Sequence, residues 1–202
     1  MTRTARLGIL LSGRGSNFQA LQRAVASGDI EAEIALVVSN VEGAPGIETA
    51  RSLGLATVAI PHEGRKRREH DLLVVEALRE AEVDWICLAG YMRILSPAFV
   101  EAFPERIVNI HPSLLPSFPG LHAQEQAWDY GVRVSGCTVH LVDDGLDSGP
   151  IVAQATVPVD GCADAEELSA RILSQEHVLY PRAMGRLLSE RWRVAGRRVV
   201  FG

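Results

Sequence analysis

Two donor-bearing side chains, Asn109 and His111, sit two residues apart at the end of the apolar run RIVNI, in the stretch NIHPSLLPSF. If that run is a strand, both project to the same face, because side chains alternate with period two. They also fall at its carboxyl end, where open α/β sheets place their ligands. An amide N–H and a protonated ring nitrogen converging on one point form an oxyanion hole. Pro112 and Pro116 restrict the corner behind them. A structural Asn and His closing a strand is the competing reading, and a third group weighs against it. The loop VDDGLDSGP carries Asp143, Asp144 and Asp147. A carboxylate near His111 would fix its tautomer and favour its charged form, whereas an acidic surface turn would do neither. His111, His122, His140 and these acids lack a metal-ligand spacing, which ranks a metal site low.

A second candidate lies near the N-terminus, where Gly13, Gly15, Ser16 and Asn17 separate an apolar run from a helical pattern. Backbone N–H groups at a helix start, with the dipole behind them, attract an anion. A dinucleotide fingerprint would need a third glycine where Phe18 stands, and an acid where the second strand ends in Ser39-Asn40. A triphosphate loop would need a lysine that the loop lacks. A single phosphate is the best functional fit, and a plain turn capped by Ser16 is the alternative.

The elements that must position these groups alternate in type. ARLGILLS, AEIALVVSN, ATVAIP, DWICLAG and RIVNI read as strands. FQALQRAVASG, GIETARSLG, REHDLLVVEALREAEV and SPAFVEAF read as helices between them, the last with Ser96 as its cap. Such alternation predicts a parallel sheet covered on both faces. GCTVHLVDD and PIVAQATVPV then alternate about a turn, predicting antiparallel pairing. A long helix from Asp164 to Glu190 follows, kinked or broken at Pro181, and a hairpin about Ala195-Gly196. The fold class expected is α/β, doubly wound and Rossmann-like, with an antiparallel C-terminal extension.

A chain of 202 residues with 47% hydrophobic and 22% charged content is expected to form one soluble domain. No apolar run reaches membrane-spanning length, and the N-terminus enters a Gly-rich turn too early for a signal peptide, so a cytoplasmic protein is expected. A net charge of −5 argues against nucleic acid as a partner. Cys87, Cys137 and Cys162 are far apart and without a CxxC pair, so reduced thiols are expected.

SGRGSN, LAGYMRILSP, NIHPSLLPSFPGLHA, GCTVHLVDDGLDSGPIV and QEHVLYP together resemble the folate-dependent formyltransferases, nearly end to end and in the family's order. The run from Asn109 is very specific; the N-terminal loop alone is not. The branch resembled acts on glycinamide ribonucleotide. It implies transfer of a formyl group from 10-formyltetrahydrofolate to the amine of 5′-phosphoribosylglycinamide in purine synthesis, with no metal. By the same resemblance Asn109, His111 and Asp147 are catalytic, and Gly15, Ser16, Asn17 and Glu176 contact the ribonucleotide. Arg67, Met92, Arg93, Ile94, Leu95, Val142 and Asp143 meet the folate, as does Asn109. The run RKRRE leaves Arg65 and Arg68 open as substitutes for Arg67. Residues 1–100 would form the ribonucleotide half and 101–202 the catalytic and folate half of a single domain. The chain would work as a monomer or homodimer on small molecules, with no nucleic acid or membrane partner. Two relatives that share the Asn-His-Asp set, methionyl-tRNA formyltransferase and formyltetrahydrofolate deformylase, carry extra domains for which this length leaves no room. A non-catalytic nucleotide- or folate-binding module and a Rossmann oxidoreductase are the readings from other classes.

Overall fold

The computed structural model describes residues 3–202. These fall into two compact units that divide between Val108 and Asn109.

In the first unit, strands β1 (Ala5–Leu11), β2 (Ala32–Ser39), β3 (Thr57–Ala59) and β4 (Trp85–Leu88) lie in the order β3-β2-β1-β4. All the pairings among them are parallel. Leu7, Ile9, Leu10 and Leu11 of β1 are fully buried, as a strand covered on both faces requires. Helices α1 (Ser16–Ser27), α2 (Pro45–Ser52), α3 (Arg67–Glu80) and α4 (Pro97–Ala102) intervene. Gly8 explains how closely α3 approaches β1. A Cβ there would lie 2.6 Å from Leu78 Cδ2 and 3.0 Å from Val83 Cγ1. The buried stripe of α3 recurs at helical spacing, but two of its members are polar: His70 and Asp71 precede Val74, Val75 and Leu78.

Strand β5 (Ile107–His111) begins in the first unit and ends in the second. The second unit continues with α5 (Ala123–Tyr130), β6 (Val134–Leu141), β7 (Ile151–Pro158), α6 (Ala165–Ser189), β8 (Trp192–Ala195) and β9 (Arg198–Phe201). β6 and β7 pair antiparallel, and the register shifts between Val139 and His140, so that His140 faces Ile151. β9 pairs parallel with β7 and antiparallel with β8. The class is the expected one: a mostly parallel α/β protein with antiparallel C-terminal strands.

Three local expectations change. Ser96 does stand at the start of α4, but its hydroxyl makes no capping bond; instead Phe99 N–H donates to the Ser96 carbonyl at 2.9 Å. Pro181 does not end the long helix, because α6 runs through it to Ser189. Helix α5 is new. It starts after His122, which adopts a left-handed φ of 58°, and no residue there gives the usual capping signal.

Candidate active site

The polar end of β5 is where side chains of the second unit converge. Asn109 and His111 share a face of the strand, and β6 brings His140 to them. Asn109 Nδ2 lies 3.1 Å from His140 Nε2, and His140 Nδ1 lies 2.9 Å from the Leu141 carbonyl. A carbonyl only accepts, so Nδ1 carries the hydrogen of a neutral His140 and Nε2 offers a lone pair. Burial pushes the pKa of His140 down despite the opposing hydrogen bond to Leu141, which holds it in that neutral form. One Asn109 amide hydrogen is thereby taken up, the amide's orientation is fixed, and its second hydrogen stays available. The register shift at His140 is the backbone device that aims this ring.

His111 is 4% exposed. Its Nε2 donates to the Phe118 carbonyl at 2.9 Å, and its Nδ1 faces Asp147 Oδ2 at 3.4 Å. Asp147 Oδ1 lies 3.7 Å from His140 Nε2, so one carboxylate meets both rings. Gly120 N–H holds Asp147 Oδ2 at 2.7 Å, and the Asp147 backbone sits in the left-handed region with φ 48°. Few non-glycine residues adopt that conformation, and here it coincides with the carboxylate that faces both rings.

The corner behind His111 is tied down as well. Ser113 Oγ donates to the Ser117 carbonyl at 2.5 Å. Thr138 Oγ1 donates to the Ser113 carbonyl at 2.7 Å and accepts Leu115 N–H at 3.0 Å. Prolines restrict the stretch, but Thr138 on β6 anchors it. Val142 and Asp143 follow β6, and Asp143 Oδ1 accepts from Ser148 Oγ at 2.7 Å and Gly145 N–H at 3.1 Å. A Cβ on Gly149 would stand 1.8 Å from the Leu141 carbonyl oxygen, so only glycine closes this loop. Glu176 lies buried on α6. The Cys137 thiol on β6 is pushed up to about 12, first by burial and then by the charge of Glu176. Cys137 is therefore a poor nucleophile.

The first unit holds the remaining residues singled out by the sequence. Gly15 is the residue before α1, with φ 70°, and a Cβ there would press on Gly46 Cα at 3.1 Å and Leu11 Cδ2 at 3.2 Å. Ser16 is the first residue of α1, and the cap position before it is Gly15, which has no side chain to cap with. What the loop presents is main-chain N–H at a helix start, from Ser16 and the buried Asn17. Directly after β1, at the start of the same loop, Ser12 Oγ accepts Met92 N–H at 2.8 Å and donates to Asn40 Oδ1 at 2.5 Å. The segment it anchors exposes Met92 and Ile94 while burying Leu95, and Arg93 lies between. Arg67 opens α3 with its side chain exposed, whereas Arg65 is bound to the Pro61 carbonyl at 2.5 Å. Among the described residues, no group of three His, Cys, Asp or Glu side chains is placed to hold a metal ion.

Two residues here were missed from sequence. His140 entered there only as a poor metal ligand, and Thr138 not at all. His140 lies two residues beyond Thr138 on one strand, the same spacing as Asn109 to His111, and that repeat of polar alternation in an apolar strand was the available signal.

An amide, two imidazoles and a carboxylate thus gather at a strand end of a mostly parallel α/β fold. Residues 5–184 match the formyl transferase family, and the chain belongs to it. It is 42% identical over 174 residues to the phosphoribosylglycinamide formyltransferase of Escherichia coli (strain K12), covering 86% of this chain and 82% of that protein. It is 48% identical over 187 residues to the trifunctional purine biosynthetic protein adenosine-3 of Drosophila pseudoobscura pseudoobscura. That match covers 91% of this chain but only 14% of the longer protein. The solved structure of glycinamide ribonucleotide transformylase 1 from Symbiobacterium toebii superposes with a TM-score of 0.95 at 44% identity. It covers 98% of this chain and 94% of that one.

Proposed function

We propose that the chain transfers the formyl group of 10-formyltetrahydrofolate to the terminal amine of 5′-phosphoribosylglycinamide, a step of purine synthesis. The convergence of Asn109, His111 and Asp147 carries this reading, and the names of relatives that match nearly the whole chain support it. The amine attacks the formyl carbon, and the carbonyl oxygen gathers negative charge. The free Asn109 amide hydrogen and His111 Nδ1–H meet that oxygen, each such donor lowering the barrier by roughly 3 kcal/mol. With Nε2 held by Phe118, Nδ1 is the one nitrogen His111 can offer. Asp147 keeps a hydrogen on Nδ1, takes the proton released by the attacking amine and passes it, directly or through water, to the folate N10 as the C–N10 bond breaks. No covalent intermediate with the protein forms.

The ribonucleotide phosphate rests on the main-chain N–H groups of Gly15, Ser16 and Asn17, with Glu176 as a further ribonucleotide contact. Met92, Arg93, Ile94 and Leu95 form one wall of the folate site, Arg67 meets its anionic end, and Val142, Asp143 and Asn109 complete it. The setting is cytoplasmic, in keeping with three free thiols and with the lack, among the described residues, of any helix long and apolar enough to cross a membrane. The protein acts as a monomer or homodimer. Mixing purified protein with both substrates and following absorbance as the folate loses its formyl group tests the reading. Turnover is expected only with both present; tight binding without turnover would establish a non-catalytic binding module instead.

A further inference from the structure

Helix α3 carries an ionisable pair that the proposed reaction does not use. His70 and Asp71 are 0% and 1% exposed, the most deeply buried His and Asp of the described residues. A carboxylate taken out of water is costly unless donors satisfy it. Asp71 has two polar partners. Its Oδ2 accepts Ser96 N–H at 2.6 Å, and its Oδ1 lies 3.5 Å from His70 Nδ1. The other ring nitrogen of His70 donates to the Ile60 carbonyl at 2.7 Å, just beyond β3. Asp71 also faces Tyr91, whose phenol is pushed far up by burial and then by the Asp71 charge.

Ile60 lies just beyond β3, whereas Tyr91 and Ser96 bracket one segment. Between β4 and α4 the chain has neither helix nor strand. Its beginning is fixed by Ser12, through Met92 N–H to Ser12 Oγ and Ser12 N–H to the Gly90 carbonyl at 3.0 Å. Its end is fixed by Asp71 at Ser96. The Ser96 hydroxyl, buried and without a hydrogen-bond partner, contributes nothing to that hold. Between these ties, Met92 and Ile94 are 65% and 51% exposed. An irregular segment that presents two large apolar side chains to solvent needs its ends held, because neither sheet nor helix hydrogen bonds hold its middle.

We propose that Asp71, oriented by His70, is a positioning residue that sets the Met92–Leu95 wall for the folate substrate from behind, without touching that substrate. This rests on the reading of Met92–Leu95 as the folate wall. A hydrogen bond to a buried charge is among the stronger ones, so its loss loosens the wall and weakens folate binding by roughly tenfold.

Steady-state kinetics on the full chain test this. Asp71→Ala is expected to raise KM for 10-formyltetrahydrofolate roughly tenfold, with kcat and the KM for the ribonucleotide little changed. Asp71→Asn, which keeps an acceptor for Ser96 N–H, recovers most of that loss. Ser96→Pro removes the same bond from its other end, at a backbone of φ −78° and ψ 156° that suits proline, and gives the same split even if Asp71→Ala does not fold. A parallel rise of both KM values, or a fall in kcat alone, overturns the proposal. The double variant Met92→Ala/Ile94→Ala separates the two layers. If it leaves the folate KM unmoved, the wall is wrongly placed. If it raises that KM while the Asp71 and Ser96 variants do not, only the positioning role fails.

Discussion

Among the described residues, each unit holds one His–Asp pair that meets through the ring Nδ1, and the local chemistry of these two is nearly the same. His111 Nδ1 lies 3.4 Å from Asp147, and His70 Nδ1 lies 3.5 Å from Asp71. In each, the second ring nitrogen donates to a backbone carbonyl, of Phe118 or of Ile60, and the carboxylate accepts one backbone N–H, of Gly120 or of Ser96. They differ in what surrounds them. Asp147 keeps 13% of its side chain exposed, sits on a left-handed residue in a glycine-rich loop, and has Asn109 and His140 within reach. Asp71 is sealed inside a helix face, and its neighbours are backbone and a phenol. A His–Asp pair is thus not chemistry in itself. An opening to solvent and a further donor aimed at the same point turn one pair into a candidate site, and their absence leaves the other as a tie between chain segments.

The strongest way to break this comparison is to remove each pair in turn. His111→Ala and Asp147→Asn are expected to lower kcat by about 10³-fold or more, since an oxyanion donor or the proton relay is lost in each. Thermal unfolding of Asp147→Asn should move little, because the amide oxygen can still accept Gly120 N–H, whereas His111→Ala also removes the tie to the Phe118 carbonyl. The mirror variant Asp71→Ala should show the opposite balance, a changed substrate KM and a lower melting temperature with kcat retained. Near-normal turnover in His111→Ala would erase the distinction.

A smaller effect is expected at His140. As the neutral acceptor that orients Asn109, it acts on the reaction through another residue, so His140→Ala should lower kcat by roughly 10- to 100-fold. It also gives a pH test. Burial lowers the pKa of His140 from its usual 6.5 in the folded protein. Below 6.5 the unfolded chain binds a proton that the folded chain refuses, so stability is full above 6.5 and falls as pH drops toward the lowered value. His140→Gln, which cannot titrate, should flatten that acid limb in denaturant titrations between pH 7 and 5. A limb of unchanged slope would mean that another group sets it.

The same contrast explains what the sequence made visible. Asn109 and His111 were legible as a pair because they share a strand face by spacing alone; the loop narrowed the acid only to Asp143, Asp144 or Asp147, and the family resemblance singled out Asp147. Thr138 and His140 showed the same polar alternation on β6, but their roles stayed hidden, because these depend on how β6 pairs and shifts register. Asp71 was less legible still. In REHDLL it reads as the polar side of a helix, and its main partner is a backbone N–H 25 residues away. Most strands were placed within a few residues, since continuous apolar runs fix them. Helix α5 was missed because eight residues starting at a left-handed His122 offer neither a cap nor a long periodic pattern.

The smallest effect concerns a third carboxylate, which sets the scale for an aspartate whose only task is local. Asp164 precedes α6 and accepts Glu167 N–H at 2.8 Å, on the surface. Such a cap is typically worth about 1 kcal/mol, because it satisfies one of the helix's unpaired N–H groups. Asp164→Ala should therefore lower the free energy of unfolding by about 1 kcal/mol in urea, with kcat and both KM values unchanged. Its carboxylate has no buried charge to compensate and no substrate to meet. If Asp71→Ala cost no more stability than this and left the folate KM untouched, the buried pair would be an ordinary helix feature. The larger stability loss and the folate-specific KM change expected of Asp71→Ala are what set a positioning carboxylate apart from a capping one.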